Sequence, residues 1–150
     1  MPSVELLGRA EVERALHLAG PTIVARFLDA LERQGFDLAQ YIKTEELSGQ
    51  ILHNRTGTLR RSIAMTPHRS QGFVDVGTNV VYARVHEFGA VIRAKNAPFL
   101  KFQVGGKWVQ KKQVLVPARP FMRPALIRNR GHIQAALAAA VRMAVREVVP

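Results

Sequence analysis

The chain has 150 residues, no cysteine and an ordinary apolar fraction of 47%. It is long enough to bury about two-thirds of its unfolded surface, so a single domain with its own core is the default. No disulfide framework or thiolate chemistry is available, no apolar run reaches bilayer length, and the charged start MPSVELLGRAEVERAL does not fit a signal peptide; the expectation is a soluble, unexported product.

In chain order, the first third is helical. Val12, Ala15, Leu16 and Ala19 fall at helix spacing over 9–19, and Gly20-Pro21 marks either a kink or a boundary. Ile23, Val24, Phe27, Leu28 and Leu31 form a second stripe ending near Gly35. FDLAQYIKTEELSGQIL gives a third run, with Asp37 as its expected N-cap.

The middle third changes period. After a turn at Gly57, Ile63 and Met65 alternate with polar neighbours, and QGFVDVGT supplies a second short strand. The intervening PHRSQG has the make-up of a hairpin loop. Leu100 with Phe102, then Trp108, then Val114 with Val116 read as further short strands. Gly105-Gly106 is the turn between the first two, and Lys107, Lys111 and Lys112 form an exposed basic tip. VPARPFMRPAL carries three prolines within eight residues. Pro117 and Pro120 hold the backbone extended, end a strand and lead stiffly into a helix. Phe121 is either a core plug or an anchor for a neighbouring subunit, with Arg119 and Arg123 facing outward on each side of it.

Helix returns in the last third. Pro124 suits a first helical turn, Gly131 is a candidate bend or start, and Ile133, Leu137, Ala140, Val141, Ala144, Val145 and Val148 make a one-sided stripe expected to pack on the sheet. The order of helices, antiparallel strands and helix predicts an α+β fold in one domain. Its parts are a helical section over 1–53, a sheet with a hairpin over 54–118 and a C-terminal helix over 119–150.

Charge is distributed unevenly. Residues 1–47 hold five basic and eight acidic side chains. Residues 48–150 hold seventeen basic ones and only Asp75, Glu87 and Glu147 as acids. Such a split suits either an anionic partner such as nucleic acid or copies that stack charge against charge.

Nothing in the chain assembles a catalytic set. His86 and Glu87 are adjacent, but Ala90 stands where a second zinc histidine would be needed, and His17, His53, His68 and His132 lie singly in other elements. Gly-x-Ser-x-Gly is absent, and Gly105-Gly106-Lys107 lacks the spacing and following helix of a phosphate loop. RTGTLRRS reads as a basic phosphate-binding loop or a solvated connection. The expectation is no enzyme activity, cofactor, metal or small-molecule substrate.

Three blocks in series, TGTLRRSI (56–63), VGTNVVYARVHEFG (76–89) and VPARPFMRPAL (116–126), resemble the small tail-component and virion-morphogenesis proteins of tailed bacteriophages. That group is typified by the tenth gene product of HK97-like phages, and the Mu-type morphogenesis proteins share a similar pattern. The likeness covers roughly 48–130. It implies a non-enzymatic part of the neck or tail-completion region, located in the virion and in the host cytoplasm during assembly. It also implies a ring, commonly six-fold, that meets other neck and tail proteins, without membrane contact. In that setting VYARVHEFG is a short helix after the second strand, and Tyr82, His86, Glu87, Phe88 and Gly89 form a structural joint. Tyr82, Val85 and Phe88 pack on the sheet, His86-Glu87 provides hydrogen bonds, and Gly89 stops the helix.

Contacts with other subunits or a neighbouring ring then fall to Arg55, Arg60, Arg61, Lys107, Trp108, Lys111, Lys112, Arg119, Phe121 and Arg123, with non-specific contact to packaged DNA as a second use of the cations. The alternatives are a tail terminator, a transient assembly factor, or a free nucleic-acid-binding protein using the basic half.

Overall fold

A computed structural model of the chain describes residues 9–49 and 57–148. Among the described residues, four α-helices and six short strands run in the order α1 (Arg9–Tyr41), α2 (Thr58–Ser62), β1 (Ala64–His68), β2 (Phe73–Gly77), α3 (Ala83–Phe88), β3 (Ala90–Arg93), β4 (Leu100–Val104), β5 (Lys107–Lys111), β6 (Gln113–Val116) and α4 (Met122–Val148). In chain order, helices at both ends flank antiparallel strands, which is the expected α+β fold. The strands pair two by two, β1 with β2, β3 with β6 and β4 with β5. No helix among the described residues is long and apolar enough to cross a membrane.

The first two N-terminal runs and the start of the third are one helix, and residues 50–52 of the third run lie outside the described residues. Pro21 lies inside α1, so the Gly20-Pro21 step is no boundary. Gly35 does not end the helix either. A Cβ there would stand 2.9 Å from both Met65 Cγ and Val74 Cγ2, closer than carbon atoms pack. Glycine is needed at this point so that the β1–β2 hairpin can lie against α1, not to turn the chain. Asp37 is consequently internal to the helix and accepts a hydrogen bond from Gln34 Nε2 at 3.4 Å instead of capping a new start. After Tyr41 the chain widens into a π-helical turn, Ile42–Glu46, closed by Leu47 N–H donating to the Ile42 carbonyl five residues back at 3.0 Å. Ile42, Glu46 and Leu47 are buried there.

Two compact units are drawn from interleaved segments. One takes the chain up to Leu38, residues 65–76 and α4 from Arg128. In it α4 lies alongside α1. Ala136, Ala140 and Ala144 face Arg26, Ala30 and Arg33 across a cleft of about 380 Å³, and Arg26 Nη2 donates to Glu147 Oε2 at 3.1 Å. Ala140 and Ala144 of the C-terminal stripe thus face α1. The β1–β2 hairpin is tied to α1 by Arg69, whose guanidinium reaches Asp29 Oδ1 and Glu32 Oε1, each at 2.8 Å. Arg69 thereby holds the Asp29 carboxyl below the usual carboxylate value. This contribution to stability is present above the ordinary carboxylate pKa and fades as pH falls through the lowered one. The pair is solvent-exposed, so its effect is small.

The other unit takes 39–64 and 77–127. Its buried apolar residues are Ala39, Ile42, Leu47, Leu59, Ile63, Ala83, Phe121 and Ala125. All three motif blocks fall within it, apart from Val76 and the undescribed Thr56.

Strand β3 is not apparent from its own sequence. Four residues, AVIR, carry too little pattern, and their ladder partners lie twenty or more residues downstream: Ala90 opposes Val116, Val91 Leu115, Ile92 Val114 and Arg93 Gln113. Ala94 N–H extends this ladder to the Lys112 carbonyl at 3.3 Å. Leu100 then opposes Lys111, and pairing resumes through Val104 and Lys107. Gly105 and Gly106, with φ of 56° and 79°, close the end in the paired left-handed conformation that a two-residue hairpin turn requires. Residues 90–116 thus form one two-stranded arm, interrupted where Lys95–Phe99 loop out opposite the consecutive Lys111 and Lys112. At strand rise its contour is about 30 Å.

Candidate functional site

The site is a joint that holds this arm. It begins with the Gly77-Thr78-Asn79 turn. Thr78 Oγ1 accepts the Val80 amide at 3.1 Å and lies 2.6 Å from Ser62 Oγ, which links the turn to the end of α2. Leu59 and Ile63 on either side of that link are buried. The chain then enters α3, which places Glu87 against the start of α4.

There the Glu87 carboxylate accepts three backbone amides. Oε2 takes Phe121 N–H at 2.9 Å and Met122 N–H at 3.0 Å, and Oε1 takes Arg123 N–H at 2.9 Å. A helix leaves its first four amides without intrahelical partners. Here three are held by one carboxylate, and the fourth position is Pro124, which has no N–H to satisfy. The negative charge also sits at the positive end of the α4 dipole. One residue earlier, the His86 carbonyl accepts Arg119 N–H at 2.7 Å.

Gly89 completes the joint. Its φ is +72°, and a Cβ would stand 3.0 Å from the Ala118 nitrogen and from the Val116 oxygen. The added atom would meet main chain there and not the flexible end of a side chain. Gly89→Ala combines left-handed strain with that clash, and is expected to cost about 2 kcal/mol. A urea unfolding midpoint unchanged from the native chain would show that the close approach is absent.

HEFG and VPARPF, separated by nearly thirty residues of sequence, therefore form one object. The proline segment fixes where β6 hands over to α4, and Glu87 fixes where α4 begins. β3 and β6, the base of the arm, leave from the two sides of this joint.

The remaining predicted contact residues divide into groups. Lys107, Trp108, Lys111 and Lys112 are exposed on the arm, and Lys101 Nζ lies over the Trp108 ring at 5.1 Å. Arg60 and Arg61 are exposed on α2 and border an open cleft of about 530 Å³ together with Lys43 and Gly57; Lys43 carried no local signal. Arg119 and Arg123 donate their amides to the joint while their side chains stay exposed. Arg55 lies outside the described residues.

Two expectations need correction. Phe121 has no exposed surface, so it is a core residue and cannot serve as a contact residue; the amide grip of Glu87 pins it inward. Phe88 was expected to pack on the sheet with Tyr82 and Val85. Instead it is 72% exposed and Tyr82 45% exposed, because α3 ends at Gly89 and turns its last residue outward. Tyr82 stands edge-on to His86, with ring centroids 5.9 Å apart. The buried member of this short helix is Ala83.

Chemically, the joint offers a carboxylate whose oxygens are taken up by three amide donors. Among the described residues no group of three or more His, Asp or Glu side chains is placed to hold a metal ion.

No curated protein and no solved structure gives a significant match to the chain. A family model, described as the phage virion morphogenesis family, matches residues 33–148. That span runs from the Gly35 approach through the joint and the arm to the end of α4, wider than the three blocks alone. The chain belongs to the phage virion morphogenesis family, and with it to the structural or assembly proteins associated with phage virions.

Proposed function

We propose that the chain is a non-catalytic structural component of the neck or tail-completion region of a tailed phage, that its copies close into a ring, six-fold by preference, and that this ring helps join head to tail. The observation that carries the reading is the arm and its mount. The motif residues Glu87, Gly89 and Pro117–Phe121 go into holding the base of residues 90–116 rigidly, while the arm's own surface displays Val91, Ile92, Phe99, Val104, Trp108 and Leu115 to solvent. A two-stranded ribbon is marginal by itself in water. Exposed apolar groups on unpaired strands ordinarily mark a surface that another chain covers.

Apolar burial, more than charge, would close such a ring. The acidic stretch of α1 is partly neutralised within its own unit by Arg69, and exposed ion pairs contribute only about 0–1 kcal/mol each. Quantitative mass spectrometry of purified particles tests the assignment. A small, constant copy number per particle matching one ring is expected. Absence from complete particles would replace this reading with a transient assembly factor.

A further inference from the structure

Between Ala90 and Val116 the chain carries six cations and no carboxylate. All six, Arg93, Lys95, Lys101, Lys107, Lys111 and Lys112, are exposed. Beyond its own ladder, the β4–β5 hairpin makes few close approaches to any other described element. A ribbon with this much charge of one sign repels itself and needs a counter-charge of comparable density.

The described part of a second copy offers few carboxylates outside ion pairs. Among the described residues, Asp29 and Glu32 are held by Arg69, Glu147 by Arg26 and Asp75 by His68. Glu87 is taken up by three amides and Glu46 is buried. Asp37 and Glu45 remain as exposed carboxylates outside such ion pairs. Among the described residues, two such acids stand against six cations.

We propose that the arm binds the phosphate backbone of duplex DNA without sequence preference. Duplex DNA presents one negative charge per about 1.7 Å of axis, so each of the six cations spread along a contour of about 30 Å has phosphates in reach. A two-stranded ribbon is also narrow enough to enter the major groove. Five of the six cations are lysines, which engage phosphate as mobile point charges and not as bidentate forks. Such contacts hold DNA while allowing it to slide. Trp108, beneath Lys101 on the exposed face of the ribbon, lies within reach of whatever that lysine contacts. This inference does not depend on ring closure and applies equally to a single chain.

Trp108 is the only tryptophan, so its emission reports on the arm directly. The full chain is titrated with a short blunt-ended duplex of mixed sequence over a salt series. A saturable change in emission is expected, weakening steeply with salt. The variant Lys101→Gln/Lys107→Gln/Lys111→Gln/Lys112→Gln, altered only at exposed positions, should lower the salt slope by about 3–4 and weaken binding at low salt by about 100-fold, as followed by anisotropy of the labelled duplex. Arg60→Gln/Arg61→Gln should leave the emission change in place. The proposal is overturned by a native chain that does not bind the duplex at low salt. It is equally overturned by an arm variant that binds like the native chain, or by loss of the signal in the α2 variant. An arm variant that keeps DNA binding but loses self-association would assign the arm to an acidic protein surface instead.

Discussion

Glu87→Ala is expected to lower the melting temperature by roughly 6–12 °C, corresponding to about 3 kcal/mol for a chain of this size. The substitution removes an acceptor that three amides share, at Phe121, Met122 and Arg123. Hydrogen bonds to a charged group contribute about 1.5–3 kcal/mol each, but they are not additive here, because water can reach the Arg123 end once the carboxylate is gone. The Phe121 amide precedes a fully buried side chain and has the least chance of such rescue. Glu87→Gln should fall between the native chain and the alanine variant. Its amide oxygen can still accept, but its NH2 group faces donors and the charge at the helix end is lost. Thermal unfolding followed by circular dichroism orders the three proteins. Equal melting temperatures for native and Glu87→Ala chains would mean that the carboxylate does not set the start of α4. A His86→Gln/Glu87→Gln double variant should therefore show reduced stability, and any loss of particle function in it has to be judged at a temperature where it remains folded.

Much of this organisation is visible in the residues themselves because it is local. The helical stripes, the Gly105-Gly106 turn and the proline-stiffened run into α4 each follow from the chemistry of a few neighbouring residues, and each stands where its pattern places it. What the residues hide is set at long range. Gly35 looks like a helix terminator until Met65 and Val74 come within contact distance of it. Asp37 looks like a cap only if that break exists. AVIR is a strand because of Val114 and its neighbours, not because of itself. A carboxylate that caps a helix thirty-four residues downstream leaves no spacing signature, since capping patterns read from sequence are confined to one turn.

The two corrected residues show the same limit from the other side. An aromatic on a stiff tether and an aromatic at the end of a short helix are alike in sequence. Phe121 is enclosed and Phe88 exposed because of which backbone groups lie beside each, and that is decided by the joint. The charge asymmetry was legible as a count but not as a field, because Asp29 and Glu32 are already answered by Arg69.

The second large effect concerns the arm, and the ladder shows where to cut it. Ala94 and Lys112 face each other at the end of the β3–β6 pairing. Removing residues 95–111 and joining Ala94 to Lys112 through Asn-Gly would therefore close a short hairpin in register, with the two-residue turn that such hairpins favour. The excised part contains no residue of the joint. The Glu87 hydrogen bonds, the Gly89 approach and the Ser62–Thr78 link all lie outside it. Helix content and melting temperature should change little, since the lost strands pack mainly on each other.

Function should change greatly. If the joint exists to present the arm, a phage lacking the native gene and supplied with the shortened one should accumulate complete heads and complete tails that do not join, with infectivity reduced at least about 1,000-fold, the scale expected when a whole interface is removed. Electron microscopy and plaque counts of such a complementation, with circular dichroism of the purified variant, are the most direct measurement. A folded, shortened chain that yields unjoined heads and tails agrees with the account. A folded, shortened chain that restores normal particles and plaques would contradict it, and would move the working surface of the protein from the arm to the helical unit.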